Sequence, residues 1–327
     1  MESGGVVEEL PGFVTLYGDG TVERHEGNDP MRSLVPCSPE AFVDGVASND
    51  VTIAEATGLW ARIFCPEAKP AGGKPPVVLY FHGGGFCLGS PSSEIFHSLC
   101  SRMAAATGAV WVSVAYRLAP EHRLPAACED SVAALAWLEG GCACLASYGD
   151  LGQCFLAGDS VGGNLAHHVA VSAAARKGEE PRRVRILGLV LLHPGFVKEE
   201  RSRSETENPP EKALVPVEAV DMGAKLALPA GSDKNHFAMN PRIPKRGDVA
   251  LPPVLVVVGK MDIFYDRQVE YCRAMEGAGH EVEVVEYSEM GHCFMNEPQY
   301  EGCPEALDLV RKVVDFVKRC QVRAVSA

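Results

Sequence analysis

Gly158-Asp159-Ser160-Val161-Gly162-Gly163 contains a Gly-x-Ser-x-Gly pattern. The apolar run at residues 154–157 precedes it and predicts a buried strand, and residues 164–176 follow it with a helical pattern. A sharp turn between a strand and a helix lifts a serine hydroxyl to the carboxyl end of a sheet, beside a helix N-terminus that favours developing negative charge. We therefore predict that Ser160 is a nucleophile.

Apolar runs rich in β-branched residues recur on both sides of this turn and alternate with helical patterns. The predicted strands are residues 77–81, 110–115, 154–157, 186–192, 254–258 and 282–287. The predicted helices are residues 94–106, 126–138, 164–176, 266–275 and 306–317. The strand patterns are continuously apolar, as expected of strands buried on both faces. The alternation predicts an α/β fold with a mostly parallel central sheet and helices on both faces.

Two segments depart from the alternation. Residues 1–73 are turn-rich, with strands predicted near residues 13–17 and 59–64, and residues 198–237 are charged, with one amphipathic stretch at 216–226. We interpret the chain, residues 1–327, as a single domain. Its core comprises residues 74–197 and 238–327, and the segments 1–73 and 198–237 are expected to cap the site. The alternative is that both segments only decorate the surface.

A glycine tract, His82-Gly83-Gly84-Gly85-Phe86, follows the predicted strand 77–81. Consecutive glycines after a strand can turn their N–H groups toward a bound oxygen, and with the N–H of Val161 they would form an oxyanion hole. The alternatives are a flexible turn and a phosphate site. The phosphate site is disfavoured, because no Gly-Lys-Ser/Thr follows and no paired acidic residue for a ribose is evident.

Asp262 and His292 each follow a predicted strand. They complete the order nucleophile, acid, base that is typical of serine hydrolases built on a parallel sheet. Asp266 is the rival carboxylate, but a negative charge at the start of a helix accounts for it.

Three other histidines have simpler explanations than catalysis. His82 belongs to the glycine tract, and His167 and His168 lie inside the predicted helix after Ser160, where packing explains them.

The composition narrows the function further. The net charge of −13 argues against a nucleic-acid surface and against binding to anionic lipid. The acidic, Gly-rich start is unlike a secretory signal, and no apolar stretch has the length of a membrane span. The cysteines are scattered through apolar runs, as at Cys87 and Cys272, which favours free thiols in a reducing cytoplasmic or nuclear compartment. No cysteine or histidine spacing is typical of a metal site.

Three motifs resemble those of the hormone-sensitive-lipase-like family: His82-Gly83-Gly84-Gly85, Tyr116-Arg117-Leu118-Ala119-Pro120-Glu121 and Gly158-Asp159-Ser160-Val161-Gly162-Gly163-Asn164. Asn164-Leu165-Ala166-His167-His168 and Asn240-Pro241 are similar to its plant carboxylesterase branch. The resemblance extends from about residue 13 to the last helix and implies an esterase with a cap. It also implies that Gly83, Gly84 and Val161 are the oxyanion donors. We expect His82, Gly85, Phe86 and Asp159 to belong to the pocket.

The expected reaction is hydrolysis of a small-molecule ester through an acyl-enzyme, without a cofactor. Ser160 would be the nucleophile, His292 the base and Asp262 the acid. The same branch includes gibberellin receptors, in which the catalytic histidine is replaced, and dehydratases and cyclases that reuse the site. The presence of His292 disfavours a receptor, and an eliminating enzyme stays open as an alternative.

Overall fold

The computed structural model describes residues 4–27, 29–68, 73–141, 143–176 and 183–326. The strands in chain order are β1 (Val6–Leu10), β2 (Val14–Tyr17), β3 (Val22–Arg24), β4 (Val46–Ala54), β5 (Leu59–Pro66), β6 (Pro76–Phe81), β7 (Val110–Ala115), β8 (Asp150–Asp159), β9 (Ile186–Leu192), β10 (Val254–Gly259) and β11 (Val282–Tyr287). The α-helices are α1 (Glu94–Thr107), α2 (Ala126–Glu139), α3 (Ala143–Tyr148), α4 (Val161–Ala175), α5 (Arg203–Glu207), α6 (Pro210–Ala213), α7 (Val217–Ala227), α8 (Tyr265–Gly277) and α9 (Pro304–Ser326).

Eight strands form the central sheet in the order β11-β10-β9-β8-β6-β7-β5-β4. The strands from β6 to β11 run parallel to one another, whereas β5 pairs antiparallel with β7, and β4 pairs antiparallel with β5. The prediction of a mostly parallel sheet is confirmed. Its six predicted strands are all present. Because parallel strands end at a common edge of the sheet, the chain segments that follow β6, β8, β9, β10 and β11 all begin at that edge.

Both faces of the sheet are covered by helices. Leu135 of α2, Leu165 of α4 and Met275 of α8 are buried in the larger core cluster on one face. Met103 of α1 and Val313 of α9 are buried in the cluster on the opposite face. This burial explains why the central strands are continuously apolar instead of alternating.

The N-terminal segment has more strands than its sequence predicts. The predicted strands near residues 13–17 and 59–64 correspond to β2 and β5, but β1, β3 and β4 are additional. The three extra strands escape prediction because β3 has three residues, β1 carries two glutamates, and β4 has several exposed positions along its length. The first three strands form a separate antiparallel sheet. The predicted boundary near residue 73 adjoins residues 69–72, which lie outside the described residues.

The mid-chain segment 198–237 contains three helices where the sequence predicts one. The predicted stretch 216–226 corresponds to α7, whereas α5 and α6 are too short to show a helical periodicity. Side chains of β1 and α7 line the same cavity, which opens above the carboxyl edge of the sheet. None of the helices in the described ranges combines the length and apolar composition that a bilayer span requires.

Candidate active site

Ser160 lies at the sharp turn between β8 and α4, and its backbone is in a strained region with φ of 51°. The two flanking glycines make this turn possible, because they allow neighbouring backbone to approach it closely. A Cβ at Gly158 would lie 2.2 Å from the Gly162 carbonyl oxygen, and a Cβ at Gly162 would lie 1.9 Å from the Phe81 carbonyl oxygen. Any side chain at either position would therefore displace the strand end that carries the nucleophile.

Ser160, His292 and Asp262 form a continuous hydrogen-bonded chain. The Ser160 Oγ lies 2.9 Å from His292 Nε2, and His292 Nδ1 lies 2.9 Å from Asp262 Oδ2. Asp262 is fully buried, and His292 is nearly so. The rival carboxylate Asp266 instead accepts the Ser204 N–H at 2.7 Å at the start of α8. This arrangement is the one that nucleophilic catalysis by a serine requires, because the base reaches the hydroxyl and the acid orients the base.

The Asp262 carboxylate has two further side-chain donors. Gln268 Nε2 donates to Oδ2 at 2.9 Å, and the ring Nδ1 of His193 lies 3.2 Å from the same oxygen. Burial alone would raise the pKa of Asp262, but the charge of His292 and the hydrogen bonds from His193 and His292 outweigh it and hold the pKa below its usual value. Asp262 therefore stays ionised in a fully buried position.

His193 escapes a sequence analysis that looks for one histidine per triad. A signal was nevertheless present, since His193 directly follows β9, just as Ser160, Asp262 and His292 lie at or beyond the carboxyl ends of their strands.

His193, Asp262 and His292 also place three potential metal ligands close together. One ligand atom from each lies within 4.8 Å of the others. The Nδ1 atom of each ring already contacts the carboxylate Oδ2, at 3.2 Å for His193 and 2.9 Å for His292. Both Nδ1 atoms and the carboxylate oxygen therefore have hydrogen-bond partners without a cation.

The glycine tract lies beside Ser160, but one of its two predicted oxyanion donors is already occupied. The Gly83 N–H donates to Asp159 Oδ1 at 2.9 Å, so the assignment of Gly83 as an oxyanion donor is wrong. Gly84, Gly85 and Val161 line the cavity, and within the described ranges their N–H groups have no protein acceptor. Gly84 adopts φ of 104° and Gly85 adopts φ of 63°, values that glycine tolerates best.

His82 is also misplaced by the prediction that it belongs to the pocket. Its buried ring is not among the cavity lining; it stacks on Tyr116 at a centroid distance of 4.4 Å and lies behind the lining residue Phe96, at 5.0 Å from that ring. Burial lowers the pKa of His82 to about 4, so the ring is neutral. Phe86 and Asp159, by contrast, do line the cavity.

Asp159 connects the nucleophile turn to the glycine tract. Its Oδ1 accepts the Tyr80 hydroxyl as well as the Gly83 N–H, and its Oδ2 accepts Asn296 Nδ2 at 3.3 Å. Burial raises the pKa of the Asp159 carboxyl to about 6, although the hydrogen bonds from Tyr80 and Gly83 and the nearby His292 act in the opposite direction.

The cavity above the triad has a volume of about 380 Å³ and a mostly apolar lining. The N-terminal segment contributes Leu10, Phe13 and Met31, and the mid-chain segment contributes residues of α7 and the turn before it. The apolar lining residues from the mid-chain segment are Leu214, Val215, Pro216, Ala219, Val220 and Ala224. Among the described lining residues, the groups that can ionise are Cys87, Asp159, His292, Cys293 and Glu297. Among the described lining residues none is a lysine or arginine.

The chain is similar to enzymes and to a receptor. Residues 78–296 match the family described as an alpha/beta hydrolase fold. A probable carboxylesterase from Arabidopsis thaliana is 35% identical over 305 residues, which cover 88% of each chain. A gibberellin receptor from the same plant is 36% identical over 282 residues, which cover 82% of this chain and 79% of the receptor. An esterase structure from Pyrobaculum calidifontis superposes with a TM-score of 0.72 at 30% identity, covering 84% of this chain and 85% of that chain.

Proposed function

This chain belongs to the α/β-hydrolase family, and from that premise we propose that it is a serine carboxylesterase acting on small-molecule esters. The observation that carries the proposal is the chain of two 2.9 Å contacts from Ser160 through His292 to Asp262, at the floor of an apolar cavity. The carboxylesterase relative and the esterase structure support the same reaction class.

The proposed reaction proceeds by two acyl transfers. His292 Nε2 accepts the Ser160 proton while the serine oxygen attacks the ester carbonyl, and the imidazolium then gives that proton to the departing alcohol. Asp262 holds the imidazole by accepting its Nδ1–H and stabilises the positive charge that forms. A water molecule then repeats the sequence on the acyl-enzyme, which releases the carboxylic acid and restores Ser160.

We propose that the N–H groups of Gly84, Gly85 and Val161 stabilise the oxyanion. All three residues line the cavity, and Val161 is the first residue of α4, where the helix N-terminus favours negative charge. Preorganised donors of this kind act mainly in the transition state, and a site that only binds a ligand has no use for them.

The substrate class follows from the cavity lining. Its apolar walls and its lack of a basic side chain, in the part of the chain that the structure describes, favour uncharged esters over acidic ones. We propose that residues 1–73 and 198–237 form a cap that sets which acyl and alcohol groups fit. The lining residues Phe13 and Val220 are examples from the two segments.

We also propose a reducing, cytoplasmic or nuclear location. Its support is that buried cysteines such as Cys87 and Cys154 are free thiols and not disulfide-bonded.

Turnover of simple esters tests the proposed function. Purified protein is mixed with aryl esters from acetyl to octanoyl, and the phenol released is counted per enzyme molecule. Many turnovers with at least one ester are expected. A single burst or no product, together with tight binding of an unmodified small molecule, would favour a receptor. Loss of water from a substrate without an ester group would favour an eliminating enzyme.

A further inference from the structure

His193 occupies an unusual position at the end of β9. It is fully buried, and its backbone adopts φ of 47°, a left-handed conformation that is uncommon outside glycine. Its N–H donates to the Val257 carbonyl of the neighbouring strand at 2.9 Å. Gly259 leaves space for the ring, because a Cβ at that position would lie only 3.1 Å from it. Neighbouring residues hold the His193 backbone in this strained conformation, which suggests that the position of its side chain is functionally important.

The His193 ring meets the same carboxylate oxygen as the base. Its Nδ1 lies 3.2 Å from Asp262 Oδ2, and the ring stands at 86° to the ring of His292, with 6.0 Å between the centroids. The carboxylate can only accept, so Nδ1 must carry the proton in this contact. The opposite nitrogen, Nε2, is buried without a partner among the described residues. A neutral ring with its proton on Nδ1 fits both observations, and burial lowers the pKa of His193 in agreement with it.

We propose that His193 is a positioning residue, which fixes the Asp262 carboxylate by donating its Nδ1–H and thereby aims Asp262 at His292. The inference rests on the proposed esterase function. His193 does not line the cavity, so it acts on substrate only through Asp262. Its loss is therefore expected to lower kcat and to leave KM nearly unchanged.

The same contact sets how strongly Asp262 attracts the proton on His292. A carboxylate that accepts fewer hydrogen bonds keeps more of its charge for its remaining partner, so the imidazolium would persist to higher pH. The acid limb of the kcat/KM profile should then move upward. Titratable groups around this pair in the described ranges include Asp159 at the end of β8 and Cys293 and Glu297 beyond His292, and α8 contributes the neutral Gln268.

Two variants separate the hydrogen bond from the volume of the ring. His193→Leu fills the space without a donor, whereas His193→Asn keeps a donor near the position of Nδ1 and tolerates a positive φ. His167→Leu is the matched control, because His167 is buried in α4 and contacts Tyr271 instead of the triad. Each variant is assayed for aryl-ester hydrolysis between pH 5 and 8, and its folding is followed by thermal melting.

We expect His193→Leu to lower kcat about 10- to 100-fold and to move the acid limb upward by roughly half a pH unit or more. His193→Asn should restore most of both properties. His167→Leu should lower Tm without moving the limb. A folded His193→Leu protein with the wild-type rate and acid limb would overturn the inference.

A measurement on the wild-type protein does not depend on whether a variant folds. Nitrogen-15 spectra of the histidine rings report which nitrogen carries the proton, and we expect Nδ1–H on His193 throughout the pH range in which activity changes. A proton on Nε2 would overturn the inference even if the enzyme is active. Failure of the wild-type protein to hydrolyse any ester would instead refute the proposed function, and the ring spectra would still decide the contact between His193 and Asp262.

Discussion

The Asp159 carboxylate accepts the Gly83 N–H at 2.9 Å, so the residue before the nucleophile is tied directly to the glycine tract. This contact holds two loops from neighbouring strands, β6 and β8, in register at the site. It also determines which glycines remain available to a substrate oxygen. The contact is made by a fully buried acid, and its protonation therefore bears on stability.

We predict that Asp159 makes stability depend on pH. Burial raises the pKa of this carboxyl to about 6, above the value of about 3.9 expected in the unfolded chain. The contribution of Asp159 to the free energy of unfolding is therefore fully present below pH 4 and is lost as the pH rises through 6. The loss is about 3 kcal/mol at most. Asp159→Asn keeps an acceptor for Gly83 and does not titrate. Thermal melts should show the wild type losing stability relative to Asp159→Asn between pH 4 and 7, and parallel curves would contradict the prediction.

The two carboxylates near the start of α8 should differ sharply in their effect on rate. Asp262→Asn removes the negative charge that faces His292. It also leaves an amide whose NH₂ group can face Nδ1 and favour the wrong imidazole tautomer, so kcat should fall by about 10⁴-fold. Asp266→Asn is the matched control, because Asp266 accepts the Ser204 N–H and contacts no member of the triad in the described structure. Equal losses in the two variants, measured by aryl-ester hydrolysis, would refute the assignment of Asp262.

The sequence was most informative where a chemical group directly follows an apolar strand. Ser160, Asp262 and His292 could be found that way, because parallel strands end at a common edge whatever their side-chain contacts are. The sequence could not show whether Gly83 or Gly85 supplies an oxyanion donor. That depends on which N–H group donates to the Asp159 carboxylate in the folded chain. His193 was missed for a different reason: a second histidine at a strand end has no precedent in the triad pattern.

The fold shows the same division. Strands such as β9 are apolar because helices cover both of their faces, so a continuous apolar run in the sequence predicts them. The edge strand β4 is polar and partly exposed, and its pairing with β5 depends on register along nine residues, which local sequence does not encode.

Gly162 should tolerate no side chain. Gly162→Ala would place a Cβ 1.9 Å from the Phe81 carbonyl oxygen, so the turn that carries Ser160 must shift. We expect loss of ester hydrolysis and a lower Tm. Gly277→Ala is the control, because no described atom outside its own helix lies within 4 Å of the added Cβ, and alanine there should be neutral or stabilising by up to about 1 kcal/mol. Activity of Gly162→Ala equal to that of the control would contradict the turn geometry.

The cavity wall formed by α7 should determine the size of the substrate. Val220→Trp places a large ring in the cavity, so kcat/KM for an octanoyl aryl ester should fall at least about tenfold relative to the acetyl ester. Glu218→Trp adds the same side chain to an exposed position of the same helix and should leave the ratio unchanged. If Val220→Trp also left the ratio unchanged, α7 would not contribute to the substrate site.

Covalent labelling of Ser160 tests the central claim most directly. The protein is treated with an aryl organophosphonate, which serine hydrolases attack as they attack an ester, and the labelled peptide is identified by mass spectrometry. We predict one phosphonyl group per molecule, on Ser160, with loss of activity in proportion to labelling. Ser160→Ala should fold normally, take up no label, and lose about 10⁶-fold in kcat. Label on another serine, or an active protein that cannot be labelled, would contradict the account.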